Sequence, residues 1–359
     1  MRILFIIILF LHLLIHLIGF GKAYHWFNVN EIPLISKSQG FLWLLVSILL
    51  LATIIMFLLK KPLWIITAIP VIIISQTLII LNWHEAKFGS LFNIIILIAG
   101  ILSFAGWRFE NSFKKDKVNS IISSPLTNEI IAKSDVAHLP EAVQRYITTS
   151  GFLGKPKIEN FQVKFSGKMR EQGKKWFSFK SEQLNTVQAP ARYFFMRANF
   201  NGIPTKGYHK YTGSSAQMTI KPLSIFSIID LSSEELLVSE MVTYLNDICL
   251  FAPGALINDQ FTWEETDKNR VKVIFTNYGK SVSAILEFNE KDQLVNFFSN
   301  DRYSVNLMKK FMFSTPVGSY KFFNSYHLAS YGEAIWHYPE EDFVYGKFDV
   351  LEIKYNLKE

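Results

Sequence analysis

The chain has 359 residues, half of them hydrophobic, with mean hydropathy +0.19 and a formal net charge of +7 at pH 7. Only eight of its 67 Asp, Glu, Lys and Arg residues lie in positions 1–107, so the first third is built for lipid and the rest for water. No basic stripe with interleaved aromatics appears, which argues against nucleic acid as a partner, and the single cysteine, Cys249, excludes an internal disulfide and a thiolate metal cluster.

A bilayer core of about 30 Å takes roughly 20 apolar residues as helix. Four stretches meet that length: 3–20, 40–59, 62–82 and 90–107. Lys60-Lys61 joins the second and third tightly enough to make them antiparallel neighbours. Pro62 suits the first turn of the third span, and Pro70 should kink it. The first stretch follows Arg2 and resembles a signal peptide, but it is long and no small-x-small site follows it in GFGKAYHW. A retained span is the expectation. No lipobox-type cysteine lies near the N-terminus, so a lipoprotein anchor is not expected.

Orientation follows from the cations at the span ends. With the N-terminus inside, the inner side carries Arg2, Lys60, Lys61, Arg108, Lys114, Lys115 and Lys117. The outer side carries Lys22, Lys37 and Lys87. The expectation is a multi-pass protein of the inner (cytoplasmic) cell membrane with both termini in the cytoplasm.

Residues 1–107 then form a four-helix transmembrane domain, 108–138 a polar juxtamembrane neck, and 139–359 a β-rich soluble domain. The neck is helical near the membrane and irregular at SSPLTN. A short helix over 139–151 opens the soluble domain, with Pro140 in its first turn and Gly151 at its end. From Ile158 the hydrophobic period becomes two, as in IENFQVKFSGKMRE, where Phe161, Val163 and Phe165 share one face. About ten or eleven such segments follow, separated by turn signals such as TDKNR and NEKDQ. They predict a large antiparallel curved sheet or half-barrel with one apolar and one solvated face. One interruption, 232–251, has a Ser cap, acidic residues in its first turn, and Leu236, Leu237, Met241, Tyr244, Leu245 and Ile248 at helical spacing. The fold class is therefore a membrane helical bundle followed by an α+β domain whose sheet wraps one long helix.

Several segments carry a resemblance. LHLLIHLIGFGKAY and SQTLIILNWHEAKFGSLFN in the membrane half, with LPEAVQRYITTSGFLGKPKI, ELLVSEMVTYLND and TPVGSYKFFNSYHLASYGEAIWHYP in the soluble half, resemble uncharacterised bacterial multipass proteins with a C-terminal domain of unknown function. That family often has tryptophan after the TP pair, where this chain has Val317. It implies no activity and no catalytic residue. The order of strands and helix also resembles the half-barrel of lipoprotein carriers such as LolA, in architecture only.

Two groups of candidate residues emerge. His12 and His16 lie four apart on one helix face, and Gln76, His84 and Glu85 sit at a similar depth or just beyond. The sharper reading of this cluster is a metal, haem or quinone site or a proton relay. The plainer and favoured reading is neutral histidines that hydrogen-bond across helices. No third strong ligand accompanies His12 and His16, so no metal or other cofactor is assigned.

The second group is aromatic. Phe161, Phe165, Trp176, Phe194, Tyr208, Phe275, Phe297, Phe322, Tyr326 and Trp336, with Met241 and Tyr244 of the helix, are candidates to line a pocket for an acyl chain or other apolar ligand. The competing reading is a filled core. No nucleophile elbow, P-loop or dinucleotide fingerprint appears, and a non-enzymatic role is favoured. Cys249 reads as a small buried hydrophobe, Asp301-Arg302 as a surface or cavity-rim ion pair, Glu264-Glu265 and Glu340-Glu341 as solvated, and His209, His327 and His337 as scattered. Three roles stay open: a lipid-binding module, an intramembrane histidine site, and a membrane-anchored scaffold for a protein partner of unknown stoichiometry.

Overall fold

The structure is a computed structural model that describes residues 2–26, 35–305 and 307–358. It divides into two compact units, Met1–Glu110 and Asn111–Glu359.

The first unit contains α1 (Arg2–Ala23), α2 (Lys37–Leu58), α3 (Ile65–Leu81), the single turn α4 (Trp83–Ala86) and the start of α5 (Gly89–Ile122). Three of these, α1, α2 and α5, are long and apolar enough to cross a membrane. The fourth apolar segment, α3, is 17 residues long. Leu9, Trp43, Val46, Leu50, Val71, Leu78 and Ile96 form the inner seam. Ile3, Phe10, Phe41, Ile73, Ile80 and Ile94 face outward. Helices apolar on every side suit a nonpolar solvent, where each backbone group must be satisfied within its own helix. The Ser36 hydroxyl caps α2 by accepting from the Gln39 N–H at 3.3 Å. Pro62 lies in the turn before α3 and not in its first turn, because Lys61 N–H still bonds back to the Met56 carbonyl. Pro70 lies inside α3, which continues past it.

In the second unit the end of α5 carries on to Ile122 because the sheet gives it partners. Phe113 is buried against Phe195 and Tyr208, with ring centroids 5.3 and 5.7 Å away. The Asp116 carboxylate accepts from the Tyr208 hydroxyl at 2.7 Å and from Lys210 at 3.1 Å. Lys117 pairs with Glu182 at 2.5 Å. Two short helices follow, α6 (Lys133–Val136) and α7 (Glu141–Thr149).

The first strands form a meander: β1 (Asn160–Met169), β2 (Phe177–Thr186), β3 (Ala191–Phe200), β4 (Ile203–Thr212), β5 (Ala216–Pro222) and β6 (Ile229–Leu231). Helix α8 (Glu234–Phe251) interrupts it. A second series follows: β7 (Phe261–Asp267), β8 (Arg270–Asn277), β9 (Lys280–Phe288) and β10 (Leu294–Ser299). Two short strands, β11 (Tyr303–Ser304) and β12 (Lys309–Lys310), pair with each other. The series ends with β13 (Met312–Ser314), β14 (Val317–Phe323), β15 (Tyr326–His337) and β16 (Asp342–Tyr355). Among the described residues all but β11 and β12 join one antiparallel sheet of 14 strands, ordered β6-β5-β4-β3-β2-β1-β16-β15-β13-β10-β9-β8-β7, with β14 on β15. The last strand thus closes on the first, with Phe161 opposite Tyr355 and Phe165 opposite Val350.

The curved sheet packs around α8. Its Ser233 cap accepts from the Leu236 N–H at 3.2 Å, and 14 of its 18 residues are buried. That differs from the expected amphipathic helix, because sheet surrounds it and its polar residues have protein partners. The expectation of one solvated sheet face also needs correction. Residues of both parities are buried along the first half of β3, since the end of α5 covers the outer side where Phe195 and Tyr208 point.

Candidate functional site

A cavity of about 210 Å³ lies between α8 and the concave side of the sheet. Phe165 and Met169 of β1, Phe194 of β3, Leu250 and Phe251 of α8, Phe313 of β13 and Phe348 of β16 give it an apolar lining. Alternation explains the selection: Phe165, Phe194 and Phe348 stand on the inward parity of their strands. β15 contributes Tyr331 and three small residues, Ala329, Gly332 and Ala334, and the small ones leave room that larger residues would fill.

One wall of the cavity is charged. Glu240 and Asp247 sit two turns apart on one side of α8. Arg192 on β3 bridges them, donating from Nε to Asp247 Oδ2 at 2.7 Å and from Nη1 to Glu240 Oε2 at 3.0 Å. Its Nη2 donates to Gln183 Oε1 at 3.3 Å. Asn185 Nδ2 donates to Asp247 Oδ2 at 3.3 Å, and His209 Nδ1 lies 2.9 Å from Glu240 Oε1. All three ionic side chains are less than 10% exposed. Burial alone would raise the Glu240 carboxyl, but Arg192, aided by His209 and Arg302, overrides it and brings it down to about 2. At Asp247 burial wins and the carboxyl is raised, although Arg192 and the Asn185 and Gln183 amides pull it down. The two carboxylates share one guanidinium, but Glu240 also has His209 and the Arg302 cation near it, whereas the further groups beside Asp247 are neutral amides.

Arg302 enters from the loop after β10. Its guanidinium lies 4.1 Å from the Phe313 ring centre, 5.1 Å from Trp336 and 5.8 Å from Tyr345. Nη1 donates to the Tyr345 hydroxyl at 2.6 Å, whereas Nε is buried with no acceptor. Asn246 of α8 donates to Thr315 Oγ1 at 2.9 Å, and its Oδ1 is buried without a donor. The cavity therefore combines an apolar lining, an ionic cluster held together by Arg192, and two buried polar atoms, Arg302 Nε and Asn246 Oδ1, whose hydrogen-bonding capacity is unused.

The aromatic candidates divide. Phe165 and Phe194 line the cavity. Phe161, Met241, Tyr244, Phe275 and Phe297 are fully buried in the core around it, and the Tyr244 hydroxyl donates to the Thr186 carbonyl at 2.9 Å. Trp336 is buried behind Phe313, at 5.4 Å. Tyr208 points to the opposite side of the sheet, toward α5, because it is out of phase with His209. Trp176 lies partly exposed under Arg170 at 4.6 Å. Tyr326 packs on Phe152 and Tyr355, while Phe322 is 70% exposed and stacks on His327.

The polar wall was missed in the sequence. Its signal is two acidic residues seven apart, Glu240 and Asp247, beyond the first turn of the helix and among its apolar positions. Asp301 and Arg302 also prove to have separate partners. Asp301 accepts from the Ser283 N–H and from Lys310, while Arg302 turns inward, as adjacent residues of an extended segment point opposite ways. Glu264, Glu265, Glu340 and Glu341 are exposed, and Cys249 is buried, which pushes its thiol up. His209, His327 and His337 have separate partners in Glu240, Phe322 and Asp342. No group of three or more His, Cys, Asp or Glu residues among the described residues could hold a metal.

In the first unit His12 and His16 do come together with polar side chains of other helices. His16 Nδ1 lies 2.9 Å from the His12 carbonyl, which makes it the donor, and its Nε2 takes the Ser75 hydroxyl at 3.0 Å. Asn93 Nδ2 donates to Ser75 Oγ and to Gln76 Oε1, both at 3.1 Å, and Gln76 Nε2 donates to Ser90 Oγ at 3.0 Å. His12 Nε2 lies 3.1 Å from Asn93 Oδ1. This chain of donors and acceptors is consistent with both imidazoles neutral. Asn93 was absent from the expected cluster. His84 and Glu85 do not join it, since both are exposed on α4.

A family model described as a family of unknown function, DUF6544, matches residues 129–348, and the chain belongs to that family. No curated protein matches the sequence. Similar solved structures include a LolA superfamily protein from Nitrosomonas europaea, 12% identical over 59% of this chain and 93% of that one, with a TM-score of 0.35. They also include a DUF1329 family protein from Desulfovibrio piger, 10% identical over 63% of this chain and 94% of that one, also with a TM-score of 0.35.

Proposed function

We propose that this DUF6544 protein is a membrane-tethered binding module whose sheet domain holds a lipid or other apolar ligand beneath α8. The observation that carries this reading is the cavity of about 210 Å³ with its lining of Phe165, Phe194, Phe251, Phe313 and Phe348. A dry apolar cavity of about 150 Å³ already accepts benzene, so this one has room for a segment of acyl chain. Such a ligand gains about 0.8 kcal/mol for each methylene it removes from water.

The reading includes four spans. At 1.5 Å per residue the 17 residues of α3 reach roughly 26 Å, and residues of the preceding turn extend that toward the thickness of the hydrocarbon core. It also places both termini on the cytoplasmic side of a bacterial inner membrane, where the larger share of flanking Lys and Arg would lie. Activity from an alkaline phosphatase reporter fused after the sheet domain would contradict that orientation. The histidines act as packing groups between helices, a role supported by the hydrogen bonds that engage both of them.

Native mass spectrometry of the full chain released from mild detergent tests the binding reading. A retained adduct of lipid or fatty-acid mass is expected, and Ala329→Leu, which puts bulk into the cavity, should reduce it several-fold. A haem or metal adduct would instead point to the histidines. A bare mass would leave the scaffold role, with a protein partner to be sought.

A further inference from the structure

We infer that the cavity selects an amphiphile with an anionic carboxylate head, and that Arg302 is its anchor. The inference rests on the binding reading above and adds the head-group chemistry. Among the charged groups of the cavity wall, Arg192, Glu240 and Asp247 are already committed to one another. Arg192 spends its third donor on Gln183, and His209 faces Glu240. A cationic head would have to compete with Arg192 for either carboxylate.

Arg302 differs from these. It lies near enough to Glu240 to lower that carboxyl, yet it forms no ion pair with any carboxylate among the described residues. Its Nη1 is held by the neutral Tyr345 hydroxyl, and Nε is buried without an acceptor. Arg302 is half-buried, and an N–H taken out of water, as at its Nε, is costly unless an acceptor, best of all an anion, meets it. Phe313, Trp336 and Tyr345 hold its plane in place, so the donor is fixed before a ligand arrives. The apolar residues of the cavity then take the chain of the amphiphile and Arg302 takes its carboxylate.

The test compares dodecanoic acid with dodecan-1-ol at pH 7.5, each titrated into the full-length protein in nanodiscs of phosphatidylcholine and read by displacement of a fluorescent acyl probe. The wild type should bind the acid at least tenfold more tightly than the alcohol. Arg302→Met should bring the ratio close to one while leaving alcohol affinity within about twofold, and Arg302→Lys should retain part of the preference. Retained alcohol binding also shows that the variant is folded. Equal affinities in the wild type would overturn the carboxylate assignment and leave the binding reading standing. An acid preference that survives in Arg302→Met would remove Arg302 as the anchor. Failure of both probes to bind would overturn the binding reading and this inference with it.

Discussion

Arg192→Met is expected to destabilise the sheet domain by about 3–5 kcal/mol, because it leaves Glu240 and Asp247 buried without their shared cation. Urea unfolding of the full chain in mild detergent, followed by near-UV circular dichroism, measures it. A loss under about 1 kcal/mol would mean that the cluster is solvated and behaves as a surface pair. The neutral triple replacement Arg192→Met, Glu240→Gln, Asp247→Asn should recover most of the loss, since a buried ion cluster replaced as a whole is often close to neutral. Acid adds a sign to the argument. The Glu240 carboxyl falls from its ordinary 4.5 to about 2 in the fold, a difference of about 3 kcal/mol between its protonation states. That stabilisation is fully present above the ordinary value and is lost as pH drops toward about 2. Asp247 is raised, so its contribution runs the other way: it is present below its ordinary value and lost as pH rises through the folded one. Glu240→Gln should therefore flatten the acid limb of the stability curve. An unchanged acid limb would show that the pH dependence comes from other carboxylates.

Phe275→Ala is expected to cost about 3–5 kcal/mol of stability, as a fully buried aromatic side chain is lost from a packed core. Phe275 lies 5.1 Å from Tyr244 and 5.4 Å from Phe261, ring centre to centre, and away from the cavity lining. Ligand occupancy at saturating lipid should therefore hardly change once the protein is folded. Phe194→Ala should do the reverse and reduce lipid retention, with a smaller loss of stability because it borders space that is already open. The same native mass spectra and urea curves read both variants. If Phe275→Ala emptied the cavity while Phe194→Ala left it filled, the ligand would lie deeper than the cavity under α8.

Pattern carried much of the fold. Three long apolar helices, a change to period two at Ile158, and a Ser-capped helix expected within 232–251 and found at Glu234–Phe251 are each local, and local chemistry was enough to place them. The candidate site was only partly legible. Phe165 and Phe194 were among the aromatic candidates because they repeat on one strand parity. Tyr208 misled, since parity within a strand does not say which face a later element will cover, and the end of α5 covers the outer one. Phe322 misled for a related reason: a large ring on β14 can stack on its strand neighbour His327 and stay exposed.

The sequence by itself determined where apolar helices give way to strands of period two, the antiparallel meander, and a capped helix within it, because hydrophobic period, caps and turn residues act over a few positions. Only the tertiary structure decided that Arg192, Glu240, Asp247 and Arg302 share one cavity wall, and that Asn93 meets His12 directly and His16 through Ser75. Those groups are 17 or more residues from at least one of their partners, and a charged or amide side chain has no periodic signature. Burial and the demand for a hydrogen-bonding partner choose its neighbours only after strands and helices have packed.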